Sequence, residues 1–253
     1  MHERVINPAL AALRTRISQL EGDGARMREV LPFGIPRLDR RLQGGGLALG
    51  CLHEIAGGGN GALDGAAAAC FVAGIAARTQ GKVLWCVTRQ DLFAPGLEQS
   101  GLTPNRVIHV EAGDDKSVLT CMEEGLRHGG LGAVIGDIAR LSMTASRRLH
   151  LAAKQSGVIG LALRRWRRQS EASDFGQPTA AMTRWRVSVL PSVALPVPGV
   201  GRARWLIELI RARGGESLEM ELEACDGSGH LGLPADMADR PAAAEGRRHS
   251  AAG

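Results

Sequence analysis

The residues best suited to do chemistry lie in a glycine-rich turn that follows an apolar run. Residues 51–56 predict a strand, and a helix is expected to begin near Asp64. Between them lies a turn made of Gly57, Gly58, Gly59, Asn60 and Gly61. A strand, turn and helix in this order are typical of sites where backbone N–H groups surround a phosphate.

The groups that would hold a nucleotide in such a turn are missing. A phosphate turn of the P-loop kind needs a Lys after its last Gly, and then a Ser or Thr that holds magnesium. Counting from Gly57, these positions hold Leu63 and Asp64, and the first lysine of the whole chain is Lys82. Two opposite unit charges about 4 Å apart gain about 4 kcal/mol at an effective dielectric of about 20. Loss of the cation and gain of an anion therefore predict that productive ATP binding is lost.

The elements that position this turn alternate along the chain. Continuous apolar runs predict strands at 82–88, 106–110, 133–137 and 158–163, and helices are predicted at 64–80, 93–100, 116–128 and 142–155. Glycines follow these helices, as expected at helix ends. The alternation indicates a mainly parallel sheet with helices on its faces.

The last part of the core has a different pattern. Segments 184–190, 204–211 and 217–223 alternate apolar and polar residues, and Gly214-Gly215 favours a hairpin between the last two. Antiparallel strands are therefore expected at the C-terminal end of the sheet.

Composition excludes several classes of protein. The 253 residues include five cysteines without a CxxC pair and seven histidines without an HExxH motif, so we expect no metal site and a reducing cytoplasm. No uncharged run suits a membrane helix, and no secretion signal is visible, so no membrane partner is expected.

Positive charge is concentrated in one part of the chain. Between Arg140 and Arg213 there are fourteen Lys or Arg and three acidic residues, a net charge of +11, whereas the whole chain carries +5. Such asymmetry favours a polyanionic partner. The alternative is a solvated face in an Arg-rich protein.

Three regions are expected along the chain: a docking segment at 1–28, a core at 29–224 and a low-complexity, disordered tail at 225–253. Within the first region, residues 8–21 predict an amphipathic helix whose opposite face carries Arg14, Arg16 and Gln19. Its apolar stripe would pack on the chain's own core or on a partner. The stripe consists of Leu10, Leu13, Ile17 and Leu20.

One segment resembles a known family. FGIPRLDRRLQGGGLALGCLHEIAG at 33–57, followed by the strands above, resembles the RecA and recombinase core, over about residues 30–223. The altered phosphate turn, the run at 201–215 and the N-terminal helix resemble more narrowly the ImuA family. The resemblance implies an α/β RecA-like core, with a mainly parallel twisted sheet flanked by helices and antiparallel C-terminal strands.

The resemblance also implies a function. ImuA-like proteins are cytoplasmic accessory proteins of SOS mutagenesis, in which DNA damage induces translesion synthesis. The implied partners are an ImuB-like Y-family polymerase homologue and an error-prone DNA polymerase. RecA, single-stranded DNA and a second copy of the chain are further candidate partners.

Of the residues that form the ATPase site in RecA-like proteins, only one is matched in this chain. Asp137, at the end of a strand, matches the Walker B Asp that holds magnesium, although an Asp at a strand end often only caps a turn. A catalytic Glu is expected near residues 88–90, where Arg89 stands instead. The interpretation is a pseudo-ATPase with no catalytic residue and no cofactor.

A polar, Arg-rich stretch matches the loop that contacts single-stranded DNA in RecA-like cores. Guanidinium groups can neutralise phosphates, and Trp166 can stack on a base. The candidate DNA-binding residues are Arg164, Arg165, Trp166, Arg167, Arg168, Arg184 and Arg186. Phe175 is a weaker candidate for an exposed contact. The alternative is a solvated loop, with Trp185 in the core of a strand.

Three functions follow from these interpretations. The first is a non-catalytic adaptor that bridges polymerases and binds DNA. The second is a DNA-dependent ATPase or recombinase, which Leu63, Asp64 and the missing Glu disfavour. The third is a SulA-like inhibitor of cell division, which would not need a basic loop.

Overall fold

The computed structural model describes residues 29–59, 61–166, 175–192, 199 and 201–234. The predicted N-terminal helix with its four apolar residues lies outside these ranges, as do Asn60, Arg167 and Arg168.

In the described part of the chain, eight strands form one mixed sheet. They are β3 Leu52–Gly57, β4 Val83–Val87, β5 Val107–Glu111, β6 Ala133–Ile138, β7 Ile159–Arg164, β8 Thr183–Leu190, β9 Arg204–Ala212 and β10 Leu218–Glu223. Their order across the sheet is β10-β9-β8-β3-β7-β6-β4-β5. Neighbouring strands from β8 to β5 in this order run parallel, whereas β9 and β10 are antiparallel to their neighbours. A separate antiparallel pair consists of β1 Val30–Leu31 and β2 Leu47–Ala48.

Among the residues that the structure describes, five α-helices connect the strands: α1 Pro36–Asp39, α2 Gly61–Ala77, α3 Ala94–Gln99, α4 Asp115–His128 and α5 Met143–Ser156. The caps of α4 and α5 explain their bounds. Asp114 and Ser142 accept hydrogen bonds from first-turn N–H groups, and Gly129 and Gly157 end the helices with φ of 74° and 80°. These are the left-handed conformations that glycine adopts most easily.

Helices cover the sheet on both faces. Helix α2 packs on β3 and β8, whereas α4 and α5 pack on each other and on the parallel strands of the other face. Alternate residues of one strand enter two separate apolar clusters, as Ile135 and Val134 of β6 do. This alternation is expected of strands buried on both sides. The predicted fold class is confirmed.

The predicted boundary of the tail needs correction. Gly232 forms an antiparallel bridge with Glu223 of β10, and Cys225 and Leu231 pack on the cluster that includes α2. The folded core therefore continues beyond residue 224, because residues 225–234 close over the end of the last strand.

Parallel strands bring their carboxyl ends to one edge of the sheet. Gly57 ends β3, Asp137 lies near the end of β6, and Arg164 ends β7. This edge therefore brings together the phosphate turn, the Walker B-like acid and the start of the polar, Arg-rich stretch. This stretch, residues 164–183, is called the basic loop below.

Candidate functional site

The phosphate turn is bound to the neighbouring strand. The Gly58 N–H donates to the carbonyl oxygen of Val187 in β8 at 2.9 Å. Asp64, which is buried, accepts a hydrogen bond from the Val189 N–H at 2.8 Å. A Cβ on Gly58 would overlap Ser188 and Asp64. This amide and this carboxylate are thus engaged within the sheet.

Leu63, in the position of the P-loop lysine, is 61% exposed. Its aliphatic side chain carries no charge, and Asp64 presents no hydroxyl to a metal. The turn therefore lacks both the cation and the magnesium ligand that a bound triphosphate requires. The residues present do not fit a magnesium-bound nucleotide.

Asp137 is paired with a cation from the protein itself. Its Oδ2 accepts a hydrogen bond from an Arg165 terminal nitrogen at 2.6 Å. The same guanidinium donates to both carboxylate oxygens of Asp91, at 2.8 and 2.9 Å. Burial raises the pKa of Asp137 to about 6, against the opposing effect of Arg165. Arg165 thus places a cation against the Walker B-like carboxylate.

A buried ion-pair cluster lies beneath this edge, centred on Glu54 of β3. One carboxylate oxygen of Glu54 accepts from Arg164 at 2.5 Å. The other accepts from Arg184 at 2.9 Å and from Thr179 at 2.9 Å. Arg164 also donates to the Ala139 carbonyl oxygen at 2.7 Å. Burying these charges is tolerable only because they are paired and hydrogen-bonded.

These contacts correct part of the predicted DNA-binding set. Arg164 and Arg184 are buried against Glu54, so their guanidinium groups cannot reach a DNA backbone. Arg165 is 25% exposed and is held by two carboxylates. The sequence could not show these contacts, because the partners lie between 28 and 130 residues away along the chain.

Two aromatic side chains, one on either side of residues 167–174 in the sequence, contact each other. Trp166 and Phe175 meet edge to face, with ring centroids 5.4 Å apart, and the Trp166 indole N–H donates to the Ala139 carbonyl oxygen. Phe175 is buried, with the Arg184 guanidinium 5.1 Å from its ring centroid. The prediction that Phe175 makes an exposed contact is therefore wrong, whereas Trp185 and Trp205 are buried strand residues.

A cavity of about 370 Å³ lies between this aromatic pair and the phosphate turn. Its walls include Gly57–Gly59, Trp166, Arg186 and Ile210. Arg186 has a side chain that is 42% exposed, more than Arg164, Arg165 or Arg184, and Glu208 lies 3.6 Å away. Of the predicted arginines that the structure describes, Arg186 is thus best placed to contact a ligand.

Sequence reasoning missed Glu54, Asp91 and Thr179. Glu54 did carry a signal, because a charged residue inside a continuous apolar strand is rarely buried unless it is paired. Asp91 lies in a polar segment after β4, and nothing in its sequence neighbourhood points to Arg165.

Two negative findings apply to the described ranges. There, no group of three His, Cys, Asp or Glu side chains is arranged to hold a metal ion. No helix of the same ranges is sufficiently long and apolar to traverse a membrane.

The fold and the site define a RecA-like α/β protein. The crystal structure of the RadB recombinase superposes with a TM-score of 0.55 at 17% identity, covering 81% of this chain and 99% of that chain. At this identity the comparison shows the fold alone.

Sequence comparisons identify the family. The protein ImuA of Caulobacter vibrioides (strain NA1000 / CB15N) is 38% identical over 235 residues, which cover 87% of this chain and 95% of that protein. The chain therefore belongs to the ImuA family.

A second similarity covers a shorter region. Residues 75–160 match the family model described as cell division inhibitor SulA. The cell division inhibitor SulA of Yersinia pestis (strain Pestoides F) is 33% identical over 82 residues, 32% of this chain and 49% of that protein. The SulA similarity therefore covers only part of the RecA-like core.

Proposed function

We propose that this chain is a non-catalytic accessory protein of damage-induced translesion DNA synthesis. Membership of the ImuA family and the RecA-like fold support a role connected with DNA damage. The proposal adds that the chain, in the cytoplasm, holds an ImuB-like polymerase homologue and an error-prone polymerase together.

The ion pair between Asp137 and Arg165 is the observation that carries the non-catalytic part of this proposal. Phosphoryl transfer depends on cations placed at the β- and γ-phosphate oxygens. Here the Walker B-like carboxylate is bound by an internal guanidinium at 2.6 Å, and Leu63 stands where a lysine would contact phosphate. The fold is retained while its triphosphate site is lost, as expected of a scaffold.

Contact with single-stranded DNA is the second part of the proposal. Arg186 lines the cavity beside the phosphate turn. Arg167 and Arg168 lie between Trp166 and Phe175 in the sequence. Exposed guanidinium groups bind phosphates and release counterions, whatever the base sequence.

Salt-dependent binding of an oligo-dT strand tests this part. The double variant Arg167→Ala/Arg186→Ala should lower the affinity and reduce the log–log salt slope by about 1.4, or about 0.7 for each lost phosphate contact. The matched control is Arg147→Ala/Lys154→Ala, which removes two exposed cations from α5. Equal slopes for the two double variants would contradict direct DNA contact through the basic loop.

Partner binding is tested through the predicted N-terminal helix. Leu13→Ser/Ile17→Ser should abolish co-purification with a purified ImuB-like partner, because it removes the centre of the apolar stripe. Arg14→Ser/Gln19→Ser on the opposite predicted face should leave co-purification intact. If both double variants co-purify equally well, the stripe does not bind this partner.

A second candidate function is inhibition of cell division, favoured by the SulA match over residues 75–160. The target would then be the FtsZ filament. Overproduction in cells that lack the polymerase partners distinguishes the two functions. Filamentous growth would support inhibition of division, and normal division would support the accessory role.

A further inference from the structure

A second cavity, of about 910 Å³, lies at the opposite edge of the sheet. It is formed where α2 ends and where β4 and β5 begin. The wall opposite α2 includes Leu31 and Pro32, and the turn that carries His230 completes the cleft. The cleft is therefore separated from the candidate DNA site by the length of the parallel strands.

Three cationic side chains line this cleft, and backbone carbonyl groups hold each of them in place. Arg106 donates to the carbonyl oxygens of Ala77, Thr79 and Gly81, at 2.6, 2.7 and 2.9 Å. Lys82 donates to the Asn105 carbonyl oxygen at 2.6 Å. Arg78 donates to the Pro32 carbonyl oxygen, and its guanidinium lies 5.2 Å from the centroid of the Phe33 ring. The charges are thus fixed in position before any ligand arrives.

No carboxylate of the described residues forms a salt bridge with these cations. The nearby acids Asp39 and Asp226 accept hydrogen bonds from backbone N–H groups instead. The Arg78 Nε atom is buried and has no hydrogen-bond partner among the described residues. Burial lowers the pKa of Arg78, although the charges of Cys225 and Asp39 oppose this shift.

We propose that this cleft binds an acidic peptide segment of a partner protein. Carboxylates of the segment would pair with Arg78 and Lys82, and its apolar side chains would contact Leu31, Pro32 and Ala77. Charge complementarity of this kind gives an interface its specificity. The inference goes beyond the proposed function, because it assigns a protein-binding site away from the DNA-binding edge.

The lining of the cleft favours a peptide over nucleic acid. Single-stranded nucleic acid typically stacks its bases on aromatic side chains. The described lining contains no aromatic residue other than His230, since Phe33 is buried beneath Arg78. Leu31, Pro32 and Ala77 add an aliphatic part to a lining that is otherwise polar, and this part suits the apolar side chains of an acidic peptide.

Fluorescence anisotropy with a short labelled peptide of Glu and Leu tests the proposal on the full chain. Lys82→Glu reverses an exposed charge in the cleft and should weaken peptide binding about tenfold or more. Lys116→Glu reverses an exposed charge on α4, outside the cleft, and should have little effect. A peptide in which Lys replaces Glu should not bind. The thermal midpoint of each variant verifies that it is folded.

Binding of oligo-dT by the same variants separates this inference from the proposed function. The proposal predicts that Lys82→Glu leaves the oligo-dT affinity unchanged. Equal peptide affinity in the Lys82→Glu and Lys116→Glu variants would overturn it. A selective loss of oligo-dT binding in Lys82→Glu would overturn it as well, because the cleft would then be a nucleic-acid site.

Discussion

At the scale of single residues, ion pairing determines which charged groups can meet a ligand. Arg165 joins Asp137 to Asp91, and Glu54 holds Arg164 and Arg184 in the interior. These contacts remove three arginines from the candidate DNA-binding surface. They also place a cation against Asp137, the Walker B-like acid.

The Glu54 cluster is expected to be essential for stability. Glu54→Gln keeps the shape of the side chain but leaves two buried guanidinium groups without their carboxylate. We expect a loss of about 3–5 kcal/mol in the free energy of unfolding. Glu124→Gln removes a partner of Arg127 in an exposed pair and should cost less than about 1 kcal/mol. Denaturant titration of both variants measures the difference, and equal losses would show that the cluster is not a buried charge centre.

The pH dependence of stability tests the environment of Asp137. Its pKa of about 6 in the folded protein exceeds the ordinary value of 3.8, so the folded state holds this proton more tightly than the unfolded chain. The resulting stabilisation is full below about pH 4 and is lost as the pH rises through 6.

Asp137→Asn has no such titration and serves as the reference. Relative to it, the parent chain should gain about 1 kcal/mol of unfolding free energy between pH 7 and pH 5. Effects of titrating groups far from Asp137 cancel in the difference. A loss of unfolding free energy between pH 7 and pH 5, relative to Asp137→Asn, would mean that Arg165 dominates and lowers the pKa of Asp137.

At the scale of elements, the phosphate turn is a packed junction between β3 and α2. An added Cβ at Gly57 would lie 2.7 Å from the Asp64 carbonyl carbon and 2.8 Å from the Gly65 nitrogen. At Gly59 it would meet nothing within 4 Å. The close approach of strand and helix therefore requires glycine at Gly57, just as the contacts with Ser188 and Asp64 require it at Gly58, whereas Gly59 is not restricted by space.

Substitution by alanine should distinguish these two glycines. Gly57→Ala forces the first turn of α2 away from β3 and should cost about 1–3 kcal/mol, the usual cost of overpacking. Gly59→Ala should change stability by no more than about 0.5 kcal/mol. Thermal or denaturant unfolding provides the comparison. Similar losses at both positions would show that the turn is not pressed against the helix.

Elements were predicted well where the local pattern is sufficient. The buried parallel strands have continuous apolar runs, and Gly129 and Gly157 end their helices in the predicted places. The start of α2 was predicted near Asp64, three residues later than its observed start at Gly61. Asp64 lies inside the helix, and its carboxylate accepts a hydrogen bond from the N–H of Val189, which is distant in sequence.

At the scale of the whole molecule, the two edges of the sheet present different surfaces. The edge at the carboxyl ends of the parallel strands carries the altered phosphate turn and Arg186. The edge at their amino ends carries the cleft lined by Arg78, Lys82 and Arg106. A scaffold with separate sites can hold two partners at once, in keeping with the proposed accessory role.

The charge excess between residues 140 and 213 shows a limit of composition. The sequence predicted a basic surface, yet several of these arginines are matched by carboxylates from elsewhere, as Arg202 is by Glu223 and Arg204 by Glu221. A charge count along the chain cannot show pairings that only the folded sheet creates. The fold itself could be predicted, because the apolar pattern of each strand is local.

We propose that this RecA-like core neither binds nor hydrolyses magnesium-ATP productively. The most direct measurement is ATP binding and turnover by the purified chain, with and without single-stranded DNA, beside the Asp137→Asn variant. We expect no turnover above background and no difference between the two proteins. ATP hydrolysis at rates typical of recombinases, abolished by Asp137→Asn, would contradict it.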